Sequence, residues 1–282
     1  MATLQIDPRT DMHVETRGSG PDVLLIAGLT DPAEAWSFQL DGLSDRYRVT
    51  AYDNRGTGRT PLREDDPLTV ATMADDAAAV IRGTGAESAH VCGFSGGSAV
   101  AQELALRHPD VVRSLVLMST WARPEALSRA TMRAWRRLAE NAADERSMLE
   151  DFLIWIYTAR AHENGFVDEA IEDALGFEHP QSTADFLRQL DAFESHDSYD
   201  RLPLIEAPTL VLAGSEDIAT PARLGRTVAE RIPGAEFQLM EGAAHQPFQE
   251  SPDDFNARVD AFWRSAWAYP DGRSGLRLRV AP

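Results

Sequence analysis

Two hydrophobic rhythms alternate along this chain, and the alternation restricts it to one fold class. Val23 to Ala27 is a short, continuous apolar run, as a strand buried on both faces of a parallel sheet requires. Arg48 to Tyr52, Ala89 to Phe94, Ser114 to Ser119, Thr209 to Ala213 and Glu236 to Met240 read the same way. Helix signals separate these runs. Asp31-Pro32 with Glu34 opens one helix, as a cap, a first-turn proline and an acid. Thr72 with Asp75 caps a second, through Val80 and Ile81, and Gly96 to Arg107 forms a third, stopped by Pro109. Thr220-Pro221 opens a helix that ends before Pro233, and Ser251 to Asp254 caps a last one carrying Phe255, Val259, Phe262 and Trp263. Parallel strands need crossover helices, so the pattern predicts an α/β fold with a mostly parallel central sheet flanked by helices.

The rhythm changes after Trp121. From Arg123 to about His196 no strand signal occurs, and apolar residues recur at helical spacing in four sets: Met132/Trp135/Leu138/Ala142, Met148/Leu149/Phe152/Leu153/Ile156, Phe166/Val167/Ala170/Ile171/Ala174 and Phe186/Leu187/Leu190/Phe193. The sequence therefore predicts an inserted all-helical cap over 122–203, with the core formed by 1–121 and 204–282. The tail from Pro270, which contains Gly and Arg, is expected to be peripheral.

Composition narrows the function. The formal charge of −18 argues against nucleic acid or an anionic membrane as partner. All 27 basic residues are arginine, which excludes a Schiff-base lysine and a P-loop. Cys92 is the single cysteine, so neither an internal disulfide nor a cysteine zinc site is available. Met1 to Asp11 lacks the apolar stretch of a signal peptide, and no run approaches the ~18 residues of a membrane helix. The expectation is a cytoplasmic protein acting on a small molecule, with no nucleic-acid or membrane partner and an oligomeric state left open.

The chemistry centres on Gly93-Phe94-Ser95-Gly96-Gly97, a G-x-S-x-G placed between a strand and a helix. Such an elbow forces the serine into a strained turn whose neighbours pack too closely for side chains, and it projects the hydroxyl from the sheet edge. Serine needs a base oriented by an acid. Of seven histidines, only His245 follows a late strand in a loop; His90 begins its strand, and His162, His179 and His196 belong to the cap. Asp217, just beyond the Leu210 to Gly214 strand, is the candidate acid, with Glu216 as its neighbouring alternative. The order Ser, Asp, His suits this elbow. Backbone N–H groups of Leu29 and Gly96 are the candidate oxyanion donors, with Gly28 allowing close backbone approach.

These stretches resemble the α/β-hydrolase superfamily over nearly the whole chain: Leu24 to Trp36, Tyr52 to Arg59, the elbow, Leu210 to Asp217 and Gly242 to Phe248. The Asp53 to Gly58 loop resembles the family's D-x-R-G-x-G turn and is read as structural. Ala27-Gly28 stands where many relatives carry His-Gly, and Gly96 stands where many carry a side chain, which predicts a more open pocket floor. The resemblance implies hydrolysis without cofactor or metal. Ser95 argues against the aspartate-nucleophile dehalogenases and epoxide hydrolases, and the missing lysine against hydroxynitrile lyases. An ester, lactone or thioester cleaved through an acyl-serine remains. Carbon–carbon hydrolysis and perhydrolysis use the same triad, and a slow-turnover small-molecule receptor can use the same scaffold. The aromatic cap predicts an apolar, medium-to-large substrate, with Gly28, Phe94, Trp121 and Trp155 as candidate contacts. Arg123, Arg160 and Arg188 are read as surface residues.

Overall fold

The computed structural model describes residues 2–267. The tail from Pro270 lies outside the described residues. Eight strands form one sheet: β1 (Ala2–Asp7), β2 (Thr10–Arg17), β3 (Asp22–Ile26), β4 (Arg48–Tyr52), β5 (Ala89–Phe94), β6 (Val112–Met118), β7 (Thr209–Gly214) and β8 (Glu236–Met240). Their spatial order is β1-β2-β4-β3-β5-β6-β7-β8, and β3 to β8 all run parallel. All six strands anticipated from apolar runs are present. The antiparallel edge pair β1–β2 was not anticipated. Its residues explain why: Thr-Asp-Met-His-Val-Glu-Thr-Arg in β2 places mostly polar side chains around Met12 and Val14, so no apolar run marks it.

Helices α1 (Ser37–Leu43) and α11 (Pro252–Trp267) cover one face of the sheet, and α2 (Val70–Gly83), α3 (Gly96–Arg107) and α9 (Ala222–Arg231) cover the other. Leu40, Trp36, Phe255 and Trp263 fill the first interface, and Met73, Ala77, Val100 and Leu104 fill the second. Burying side chains of this size is worth roughly 1.5–3 kcal/mol each.

Three helix starts differ from their sequence assignments. The first segment begins as a 3-10 turn, Ala33–Trp36, and Asp31 does not cap it. Asp53, at the end of β4, accepts the Ala33 N–H at 2.7 Å instead. Helix α2 is capped by Thr69, with Thr72 as the reciprocal partner in a capping box. Pro221, not Thr220, precedes α9, because the Thr220 side chain is committed elsewhere.

Between β6 and β7 the chain leaves the sheet as a helical insert: α4 (Ala126–Asn141), α5 (Glu145–Leu153), α6 (Ala159–Glu163), α7 (Phe166–Leu175) and α8 (Thr183–Glu194). Five helices replace the four anticipated. The extra one, α6, buries only Ala161 and is started by the Thr158 side chain, so it carries no apolar period. A short helix α10 (Pro247–Glu250) precedes α11. Among the described residues, no helix is long and apolar enough to cross a membrane.

Strand order reverses between β3 and β5, because the chain goes from β3 outward to β4 and then back across to β5. The carboxyl ends of strands flanking such a switch point form a crevice. Loops after β3 and β5 therefore meet there, joined by those after β6, β7 and β8.

Candidate active site

Three non-glycine residues among those described have positive φ: Thr30 (68°), Ser95 (51°) and Ser119 (50°). They lie just beyond β3, β5 and β6, around one crevice. Each such conformation costs on the order of 1–3 kcal/mol, and the cost is tolerated where surrounding structure enforces it. At Ser95 the enforcement is visible. A side chain at Gly97 would lie 2.2 Å from the Ile26 carbonyl oxygen, so α3 can start this close to β3 only without one.

The structure brings three sequence-selected side chains together. His245 Nε2 lies 2.9 Å from Ser95 Oγ, and His245 Nδ1 lies 2.8 Å from Asp217 Oδ2. All three residues are buried, with Ser95 8% exposed at the cavity floor. Asp217 accepts only donors: Ala219 N–H at 2.9 Å and Thr220 N–H at 2.8 Å on Oδ1, and the Thr220 hydroxyl at 2.8 Å on Oδ2. This network assigns a carboxylate to Asp217, hence the proton to His245 Nδ1 and a free lone pair to Nε2 facing the serine. Glu216, the alternative acid, is exposed; its backbone N–H ties the loop to the Ala243 carbonyl at 2.9 Å.

His245 is held on every side. Its ring packs edge-on against Phe94, centroids 4.9 Å apart, and Phe94 packs on Phe248, which stacks on Trp36 at 4.2 Å. An aromatic column thus runs from the core to the imidazole. The His245 carbonyl accepts from Ser119 Oγ at 2.8 Å, and its N–H donates to the Ile156 carbonyl of the insert at 3.0 Å. Sequence reading missed Ser119, Thr220 and Gln246. For Thr220 a local signal existed, a hydroxyl three residues after an aspartate, but it was spent on a helix start. The other histidines are placed differently. Burial lowers His90 to about 3 and His196 to about 4, which keeps both neutral. Burial also pushes the Cys92 thiol well up.

Among the described residues, no backbone group accepts the N–H of Leu29, or of Gly96 at the first position of α3. Leu29 and Phe94 line a cavity of about 1020 Å³ with Ser95 and His245 at its base. The insert supplies its roof, including Trp135, Phe152, Tyr157, Phe166 and Phe186.

Four expectations are corrected. Gly28 does not line the cavity; a side chain there would lie 3.0 Å from the Phe94 ring and 3.2 Å from Ser95 Cβ, so it is a spacer beneath the elbow. Trp121 lies outside the cavity, buried where the insert leaves the sheet, with its carbonyl held by Gln102 at 3.0 Å. Trp155 also lies outside, edge-on to Trp135 at 6.3 Å. Gly96 does not open the floor; Phe193 of α8 fills that space, with ring carbons 2.4 Å from where a Cβ would be. None of Arg123, Arg160 and Arg188 lines the cavity. Arg123 stacks on Tyr199, and Arg188 bridges to the Arg63 and Asp66 carbonyls.

The turn read as structural is a bonding hub. Asp53 also accepts the Arg59 N–H at 2.8 Å, and Arg55 pairs with Asp76 at 2.5 Å and Asp7 at 3.0 Å.

Known proteins resemble this chain in sequence or in fold. RutD of Azorhizobium caulinodans, whose name assigns it to carbamate hydrolysis, is 32% identical over 252 residues, covering 89% of this chain and 94% of RutD. A thermophilic esterase from Thermogutta terrifontis superposes with a TM-score of 0.82 at 26% identity, covering 94% of this chain and 98% of the esterase. An enol-lactonase from Burkholderia xenovorans LB400 shares the fold with a TM-score of 0.83 at 24% identity, over 93% of this chain and 99% of that one. The family model described as alpha/beta hydrolase fold matches residues 21–252. With that span covering most of the chain, this protein belongs to the alpha/beta hydrolase fold family.

Proposed function

We propose that this protein is a serine hydrolase that cleaves a carboxylic ester, lactone or thioester of an apolar, medium-to-large small molecule through an acyl-serine. The observation that carries the reading is the continuous chain Ser95 Oγ, His245 Nε2, His245 Nδ1, Asp217 Oδ2, at 2.9 and 2.8 Å per link. Ser95 attacks the carbonyl while His245 takes its proton, and Asp217 fixes the tautomer and stabilises the imidazolium. The Leu29 and Gly96 N–H groups hold the oxyanion, each worth about 10²–10³ in rate. His245 then protonates the leaving alkoxide or thiolate, and a water activated by the same histidine releases the acid. A carbamate carbonyl, to which the name of RutD points, enters the same sequence of steps. The partition into a core (1–121, 204–282) and a cap (122–203) is part of the proposal, with the cap setting substrate range. The roof aromatics and a cavity of about 1020 Å³ support a substrate of drug-like size.

Ser95→Ala tests the reading. A p-nitrophenyl ester series with graded acyl chains, with matched lactones and carbamates, should lose all turnover in the variant while its unfolding midpoint stays at the wild-type value. Wild-type rates in the variant would refute the nucleophile.

A further inference from the structure

Asp31 lines the cavity above Ser95, in the loop that carries Leu29. Its Oδ2 accepts from Gln246 Nε2 at 3.0 Å. Gln246 Oε1 lies 2.8 Å from the Tyr157 hydroxyl, whose single proton also faces Gln249 Oε1 at 2.6 Å. In this arrangement Gln246 presents an N–H to Asp31, which accepts it. Its Oδ1 has no hydrogen-bond partner among the described residues and is not sealed off by protein. Loss of bulk water pushes the Asp31 carboxyl up to about 7, with Gln246 and His245 opposing. A cation beside this carboxyl favours its charged form.

The rest of the wall agrees in sign. Glu34, Asp144, Glu145, Glu169 and Asp173 line the same cavity, and among the described residues no arginine does. Arg59, behind Phe177, is engaged by Glu34 and Asp53. An anionic ligand such as a carboxylate-bearing lactone or a phosphate-bearing thioester would find no arginine among the described lining residues, only His179 and His245. The aromatic roof suits a cation as well as an apolar group.

We propose that Asp31 is a cation subsite: its free oxygen accepts the N–H of a protonated amine, so the preferred substrate is an apolar ester carrying an ammonium group. This rests on the hydrolase reading and specifies its substrate class. The proposal places this subsite on the leaving-group side of the carbonyl.

The test uses three esters of one aromatic acid: 2-(dimethylamino)ethyl, its neutral isostere 3-methylbutyl, and anionic 3-carboxypropyl. A charge-assisted bond predicts that the full-length protein favours the cationic over the neutral ester in kcat/KM by roughly ten-fold or more. The anionic ester should be poorest. In Asp31→Asn, which keeps shape and the Gln246 contact, the cation/neutral ratio should fall to about one. A ratio near one in wild type, or an advantage that survives Asp31→Asn, overturns the proposal while leaving the hydrolase reading intact. Absence of turnover with all three counts against ester hydrolysis instead. Calorimetric binding of the same esters to Ser95→Ala and Ser95→Ala/Asp31→Asn then decides the subsite alone: tighter cation binding lost with Asp31 supports it, and equal affinities refute it.

Discussion

Gly96→Ala should be destabilising, although glycine to alanine at the start of a helix ordinarily helps by up to about 1 kcal/mol. The added methyl would lie 2.4 Å from two ring carbons of Phe193 and 2.9 Å from a third. Carbon atoms rest about 3.5–4.0 Å apart, so ring and helix must separate by more than about 1 Å. Phe193 is 2% exposed and has no room to swing. Overpacking of this kind costs about 1–3 kcal/mol. Phe193→Ala alone opens a void and costs about 3–5 kcal/mol. In the double variant the methyl occupies part of that void, so the combined loss should fall short of the sum by on the order of 1–2 kcal/mol, as expected for touching residues. Urea unfolding followed by tryptophan fluorescence measures all four corners of the cycle. Ester turnover should follow the same pattern, because the displaced ring packs against Gly96, the residue after Ser95. Additive losses, or a Gly96→Ala protein more stable than wild type, would refute the packing argument.

Other outcomes are equally direct. Asp217→Asn should lower kcat by several orders of magnitude, whereas Glu216→Gln should leave it within about two-fold; the reverse ranking in a p-nitrophenyl ester assay would transfer the acid role. Thr220→Val removes one of the donors on Asp217 and should cost about 1 kcal/mol, near five-fold in kcat with KM unchanged. Asp31 keeps its proton to about 7 when folded against 3.8 in the ordinary carboxyl, so the folded state binds the extra proton between those values and stability falls as pH rises through them. Asp31→Asn should therefore add on the order of 2–4 kcal/mol at pH ~8 and almost nothing near pH ~4. Urea midpoints at the two pH values measure it, and an equal gain at both would contradict the assignment.

The buried strands were legible because a strand covered on both faces must be apolar throughout, and Val23 to Ala27 or Thr209 to Ala213 can be little else. The edge strands β1 and β2 were not, since one wet face dilutes the signal. Ser95, His245 and Asp217 could be chosen because strand ends gather at one edge of a parallel sheet, which makes chain position a guide to meeting in space. The walls of the cavity had no such guide. Helical spacing identifies an apolar face without telling whether that face meets packed core or open cavity; Trp135 and Phe186 of the helical sets line the cavity, whereas Trp121 and Trp155, picked only as cap aromatics, do not. Asp31 and Gln246 touch across 215 positions of sequence, and neither residue carries a local mark of the other.

Three successive residues of the insert are stapled to one short segment, His245 and Gln246 with helix α10. The Ile156 carbonyl takes the His245 N–H, the Tyr157 hydroxyl reaches Gln246 and Gln249, and the Thr158 N–H and hydroxyl both donate to Glu250. A chimaera that borrows a roof from a distant cousin would thus sever the fastening of the imidazole unless 245–250 travelled with it. On the proposed reading, substrate range and reactivity would be inherited as a single block, and recombination within the family would have to respect that seam.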